Sequence, residues 1–327
     1  MIRIVTDSTA SLPRELTESR NIDVLSLFVR FDGTDYEEAT LDVDDFYGKI
    51  DQMIDNPPKS SQPSAATVQE YFEDVAKSGD VVIGVFMSSA MSGTFEGAVR
   101  AATAVGVSRP SFQYVLIDSL SNCFDEGFAV LAAADARDEG ASLYQCALAA
   151  ADAVGRSRFL FAPESLSYLR AGGRIGSAAA LIGNLVKLTP VLTVVDGGTG
   201  TFAKVRTQKK AADRILQQLE EDMHDSPLID AVVHYIGDSA PAEKWARDKV
   251  EPLIGREVRV LPASPVIGAH VGPSYGIAYV CEKPLKGKLE KKTPEMVKSL
   301  AVKVMRPYGY ALVKAKKVAD FVKLIKR

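Results

Sequence analysis

At 327 residues, 46% of them hydrophobic and 25% charged, the chain has the composition of an ordinary globular protein and a length that fits two domains. It has no run of 18 or more uncharged apolar residues, and MIRIVTDSTA at the N-terminus enters a strand pattern directly, without a basic region and signal core, so a cytoplasmic protein is expected. The net charge of −3 hides an asymmetry: residues 283–327 carry 14 Lys and Arg against 3 Asp and Glu, whereas residues 1–282 carry 25 against 39.

In the first half, short β-branched runs alternate with helical patterns. Residues 2–6, 22–29, 81–86 and 114–118 read as strands, several of them apolar on both faces. Residues 43–54, 67–78, 93–105 and 128–140 read as helices between them. This order predicts a parallel α/β sheet with helices on both faces, with ligands bound in the loops after the strand carboxyl ends. Those loops carry hydroxyls: Asp7-Ser8-Thr9, the MSSAMSGT stretch at 87–94, Asp118-Ser119, and KSSQPSAA at 59–66. One such loop is accounted for by helix capping, but several converging on one edge point to a binding site.

The second half changes style. A strand at 159–163 leads into two helical patterns over 164–188, broken by Gly172 and Gly173. Two β-rich runs then flank a Gly-rich turn, a hairpin signal. A helix, a strand near 229–237, a helix, a strand near 257–263 and the segment SPVIGAHVGPSYG at 264–276 follow. A mixed-sheet α/β domain is the simplest reading.

Few catalytic motifs are available. G-x-x-x-x-G-K-[ST] does not occur, and the glycines of GGRIG and GAHVGPSYG do not fit a dinucleotide fingerprint, so no nucleotide cofactor is expected. Cys123, Cys146 and Cys281 are isolated and suggest neither a zinc site nor a disulfide. Of the three histidines, His224 and His234 offer His270 no metal-ligand spacing, and no metal is expected. His224 reads as a solvated helix end and His234 as a structural strand residue. Two readings of His270 remain. It could be the base of a Ser-His acyl hydrolase with Ser92 as nucleophile, although G-x-S-x-G is missing there. Alternatively, His270 and the loop hydroxyls bind an acidic head group, since a buried carboxylate needs donors and an imidazole with hydroxyls supplies them. In that reading the glycines around His270 leave room for the head group.

An ordered series of motifs favours the second reading and leaves the hydrolase as the alternative. IVTDSTASLP at the N-terminus, SSQPS (60–64), SSAMSGT (88–94), LRAGGRIG (169–176), KLTPVLTVVDG (187–197), KVRTQKKA (204–211) and SPVIGAHVGPSYGIAYV (264–280) together resemble the DegV family. The resemblance implies an N-terminal Rossmann-like parallel-sheet domain over 1–157 and a C-terminal mixed-sheet α/β domain over 158–282. It also implies one long-chain fatty acid held between them. In the family's fatty acid kinase members, a separate ATP-binding protein phosphorylates the bound carboxyl group. The family's hydroxyl before S-Q-P falls on Ser60, its serine in S-G on Ser92, and its A-H-x-G histidine on His270, which by resemblance bind the carboxylate. Threonine is common where this chain has Ser60. Arg174 and Arg206 match positions that serve the kinase partner or the phosphoryl group, a role suited to the guanidinium fork. Residues 177–192, rich in Ala, Leu and Ile, are the candidate lining for the acyl chain.

The basic segment 283–327 departs from the family pattern. Val297, Leu300, Ala301 and Val304 would share one face of a helix over 294–306, and Ala315, Val318, Val322 and Ile325 one face of a helix from Ala311. Such a segment could dock on the acidic body or a partner, lie on an anionic membrane surface, or bind nucleic acid non-specifically. Specific nucleic-acid binding is not expected.

Overall fold

A computed structural model describes residues 1–181 and 188–286, and the strands Lys303–Arg306 and Gly309–Leu312. The strands in chain order are β1 (Ile2–Asp7), β2 (Ile22–Leu25), β3 (Phe28–Phe31), β4 (Thr34–Glu37), β5 (Lys59–Ser61), β6 (Val81–Phe86), β7 (Tyr114–Asp118), β8 (Ser157–Pro163), β9 (Thr189–Val195), β10 (Gly198–Val205), β11 (Leu228–Ile236), β12 (Arg259–Pro262), β13 (Ser274–Cys281), β14 (Lys303–Arg306) and β15 (Gly309–Leu312).

The order β2-β1-β6-β7 forms a wholly parallel sheet. Its strands β1, β6 and β7 are mostly buried on both faces, which is why they read as continuous apolar runs. Ile4, Ile83, Val85 and Ile117 pack against helices Cys123–Asp138 and Leu143–Arg156 on one side. Val5, Val82, Phe86 and Leu116 pack against helices Ala65–Ser78 and Thr94–Ser108 on the other.

The single strand expected over 22–29 is two strands in two sheets. After β2 the backbone leaves the parallel sheet. Leu27 N then donates to Ser8 Oγ, and Ser26 Oγ accepts from Ala39 N. These hydroxyls take over bonds that a strand ladder would have made. β3 pairs antiparallel with β4 and β5 in a separate three-stranded sheet, order β4-β3-β5. The helix expected over 43–54 is a helix over Val43–Tyr47, capped by Asp42, followed by a 3-10 turn over Ile50–Ile54.

Helix Leu143–Arg156 runs directly into β8, the start of a six-stranded mixed sheet with order β10-β9-β8-β13-β11-β12. Only the β11–β12 pair within it is parallel. The largest core cluster joins this sheet to the three-stranded one. Leu27, Val29, Phe46 and Tyr47 pack with Phe159, Phe161, Ile267 and Ile277. The segment around β3–β5, early in the chain, thus shares its core with the late half.

Two expectations change. The helical pair over 164–188 is a short helix, Ser167–Ala171, and a 3-10 helix, Gly176–Leu181. Gly173 and Gly176 between them adopt φ of +70° and +53°, which ends helical geometry; residues 182–187 lie outside the described residues. In the basic segment, Lys303–Arg306 and Gly309–Leu312 form an antiparallel pair rather than helix. The rest of both expected helices lies outside the described residues. No helix among the described residues is long and apolar enough to cross a membrane.

Candidate functional site

A cavity of about 330 Å³ lies where β5, the loop after β6, helix Pro265–Val271 and the mixed sheet meet. Ser60, Ser92, His270 and Arg174 all line it, together with Gln62, Asn122 and an apolar wall that includes Phe159, Phe161, Val194, Ile236 and Ile267. Polar groups therefore cluster beside a mostly apolar wall, the usual make-up of a small-molecule pocket.

Each polar residue is held by its own element. Ser60 sits in β5, in register with Val29 of β3. His270 lies in the last turn of its helix, and its Nε2 is 2.8 Å from Ser60 Oγ. Burial pulls the His270 pKa down to about 4, with the nearby Arg174 cation acting in the same direction, so the ring is neutral near pH 7. Nδ1 is buried and without a hydrogen-bond partner. An unpaired N–H costs more there than an unpaired lone pair, so the ring proton belongs on Nε2, where Ser60 Oγ accepts it. The Ser60 hydroxyl hydrogen is then free to turn toward the cavity.

Ser92 lies in the loop between β6 and helix Thr94–Ser108. Its Oγ accepts from Thr94 N at 3.3 Å and shares a 2.9 Å hydrogen bond with Thr94 Oγ1. Arg174 spans the rim: Nη1 donates to Gly172 O at 2.7 Å and Nε to Met91 O at 3.2 Å. Arg206 is exposed just beyond β10 and does not line the cavity.

Within the histidine segment Gly276 lines the cavity, whereas Gly268 and Gly272 make room for tyrosines. A β-carbon on Gly268 would stand 2.4 Å from Tyr47 Oη, and one on Gly272 would stand 2.3 Å from the Tyr168 ring. Gly272 also adopts φ of +74°. Both glycines admit tyrosines that lock the helix in place. The close neighbour of the imidazole is Gly172, from the GGRIG motif, where a β-carbon would be 2.1 Å from Nδ1.

Of the hydroxyl-bearing loops, those at 59–66 and 87–94 reach the cavity, while the residues at 7–9 and 118–119 do not. The latter serve internal bonds. Asp7 accepts from Thr9 N and Met87 N, and Asp118 from Leu120 N and the Ser89 hydroxyl. The apolar wall comes from β8, β9, β11 and the His270 helix; residues 177–181 and 188–192 are not among the lining residues, and 182–187 lie outside the described ones. His234 also lines the cavity, but both ring nitrogens are engaged: Nε2 accepts from Phe124 N and Nδ1 donates to Leu261 O, each at 3.2 Å, and burial pulls its pKa down to about 4.

A hydrolytic triad needs an acid on His270 Nδ1 and a serine nucleophile on Nε2. Here Nδ1 faces Gly172, Nε2 meets Ser60, and Ser92 Oγ is engaged with Thr94. That arrangement lacks the acid that would orient a base. Asn122 and Gln62, which the motif reading left aside, also line the cavity.

Comparisons with known proteins show the family. Residues 1–282 match the model of a family described as uncharacterised protein, DegV family. A DegV domain-containing protein of Clostridium acetobutylicum is 40% identical over 291 residues, covering 87% of this chain and 99% of the relative. Protein DegV of Bacillus subtilis is 34% identical over 278 residues, covering 84% and 95%. Among solved structures, DegV of Bacillus subtilis, described as a fatty acid binding protein, superposes with a TM-score of 0.76 at 31% identity, covering 86% of this chain and 99% of that one. A DegV family protein of Thermus thermophilus, described by its fatty acid binding, gives a TM-score of 0.76 at 27% identity with the same coverage. The chain belongs to the DegV family.

Proposed function

We propose that this chain binds a single long-chain fatty acid, with its carboxylate at Ser60, Ser92 and His270 and its acyl chain against Phe159, Phe161, Val194 and Ile267. The observation that carries this reading is the neutral His270–Ser60 pair at one side of an apolar cavity. Nε2–H donates to Ser60 Oγ, which leaves the Ser60 O–H to donate to a carboxylate oxygen. Donors without a fixed charge bind a carboxylate while a short apolar wall takes the chain. Each methylene buried there contributes about 0.8 kcal/mol, so roughly ten of them outweigh much of the cost of immobilising the ligand. The fatty acid binding ascribed to the Bacillus subtilis and Thermus thermophilus proteins supports the same ligand class.

In this reading the ligand lies between two domains, residues 1–157 and 158–282, and its carboxyl group is offered to a separate ATP-dependent kinase in the cytoplasm that forms the acyl phosphate. Arg174, on the rim, and the exposed Arg206 face that partner. The guanidinium of Arg174 already bonds two backbone carbonyls, so it would meet a phosphoryl group with its remaining N–H groups. The basic segment 283–327 supplies contact with an anionic membrane surface or with the partner.

The test is mass spectrometry of the purified chain under native conditions and after organic extraction. One fatty acid per chain is expected, and it should be depleted in a Ser60→Ala, His270→Gln double variant. A wild-type chain free of lipid that also takes up no added palmitate would sink the proposal.

A further inference from the structure

Helix Pro265–Val271, which carries His270, is only seven residues long and has proline in its first turn. Its own hydrogen bonds fix its angle weakly, and bonds from elsewhere do that work. Glu38 supplies them from far away in the chain. Its Oε1 accepts from Val266 N at 2.7 Å and from the Ser264 hydroxyl, and its Oε2 accepts from the Ser8 hydroxyl. Ser8 Oγ in turn accepts from Leu27 N at 2.9 Å. One carboxylate thus joins the loop after β1, the chain entering β3, and the start of the His270 helix. Around it, Ser264 N donates to Ser11 Oγ at 3.0 Å and Tyr47 Oη donates to Ala263 O at 2.6 Å.

The place of Glu38 in the fold gives this clamp its consequence. Glu38 directly follows β4, and Ser60 lies in β5, at the two edges of the β4-β3-β5 sheet. The same small sheet therefore carries Ser60 and grips the helix that carries His270. We infer that Glu38 is a positioning residue for the carboxylate site: by clamping the His270 helix to the sheet that holds Ser60, it sets the Nε2–Oγ distance. The inference deepens the fatty-acid reading and rests on it for the ligand measurement only. Burial pushes the Glu38 carboxyl above its usual range, while the three donors oppose that shift and neighbouring Asp7 adds to it. The charged group that bears on the His270 ring is Arg174.

The full chain with labelled histidine, titrated by NMR as wild type, Glu38→Ala and Glu38→Gln, tests this, with His270→Gln assigning the resonance. In Glu38→Ala the His270 midpoint should rise by about one unit or more toward the ordinary value, as the ring gains water. His234, held by Phe124 N and Leu261 O, should keep its own midpoint. Palmitate affinity should fall about tenfold in Glu38→Ala and stay within about threefold in Glu38→Gln, which keeps the Oε1 acceptor. An unchanged His270 midpoint in Glu38→Ala would overturn the inference. So would a rise shared equally by His234, which marks general loosening. If Glu38→Ala does not fold, Ser264→Ala removes one donor without stranding a charge, and it must move His270 in the same direction or the inference fails. A wild-type chain that binds no palmitate defeats the fatty-acid reading, yet the titration still decides the role of Glu38.

Discussion

Gly172 lies so near His270 that a β-carbon on it would stand 2.1 Å from Nδ1. The contact joins two motifs about a hundred residues apart and explains why the face of the ring opposite Ser60 has no hydrogen-bond partner. Gly172 has φ of −75°, a conformation open to any residue, so Gly172→Ala is disfavoured by the ring and not by the backbone. The added methyl should push the imidazole off Ser60, lowering palmitate affinity about tenfold or more while the melting temperature changes by only a few degrees. Fluorescence displacement and a thermal melt check this. Wild-type affinity would show that the ring position does not matter.

His270 also sets the pH behaviour. With its pKa at about 4, it does not change charge between pH 6 and 8, so palmitate affinity should be level across that range. A ring with an ordinary pKa near 6.5 would instead tighten binding on acidification.

Stability carries the same signature with a definite sign. The folded pKa of His270 is depressed, so its contribution is fully present above about pH 6.5 and is lost as pH falls toward and through 4. Asp7 and Glu126, pushed upward mainly by burial, act with the opposite sign. The difference between wild type and His270→Gln isolates the histidine. The margin of wild type over the variant in melting temperature should shrink between pH 7 and pH 4. A margin that grows on acidification would contradict the assigned shift.

Much of the parallel sheet was legible because β1, β6 and β7 are buried on both faces and so read as unbroken apolar runs. The motifs likewise singled out Ser60, Ser92 and His270, which the fold brings to one cavity. Their contact was not legible from spacing, because 210 positions separate Ser60 from His270. The sequence does not say that Tyr47 and Tyr168 fill the space beside Gly268 and Gly272. Glu38 stands in YEEAT, outside every motif singled out in the sequence, and only the fold shows its three donors. Residues 7–9 and 118–119 share the hydroxyl-rich look of the binding loops, but their side chains serve internal bonds.

The mixed sheet rests on a buried ion pair. Arg158 Nε donates to Asp222 Oδ2 at 2.8 Å, with both side chains only 6% exposed. Tyr279 Oη donates to the same oxygen at 2.6 Å, and Gln218 Nε2 donates to Oδ1 at 3.0 Å. Asp222→Ala would leave the Arg158 cation buried and uncompensated, at a cost of about 3–5 kcal/mol. Urea denaturation should show that loss with little change in slope; a loss under about 1 kcal/mol would mean water replaces the carboxylate.

The central claim is that the cavity binds a fatty acid carboxylate through the Ser60 hydroxyl, which the His270 Nε2–H orients. Calorimetric titration of the delipidated chain with palmitate and with methyl palmitate tests it most directly. One palmitate should bind per chain, and Ser60→Ala with His270→Gln should weaken it by about a hundredfold while changing methyl palmitate binding little. Equal losses for acid and ester, or no loss for either, would contradict a carboxylate site at Ser60 and His270.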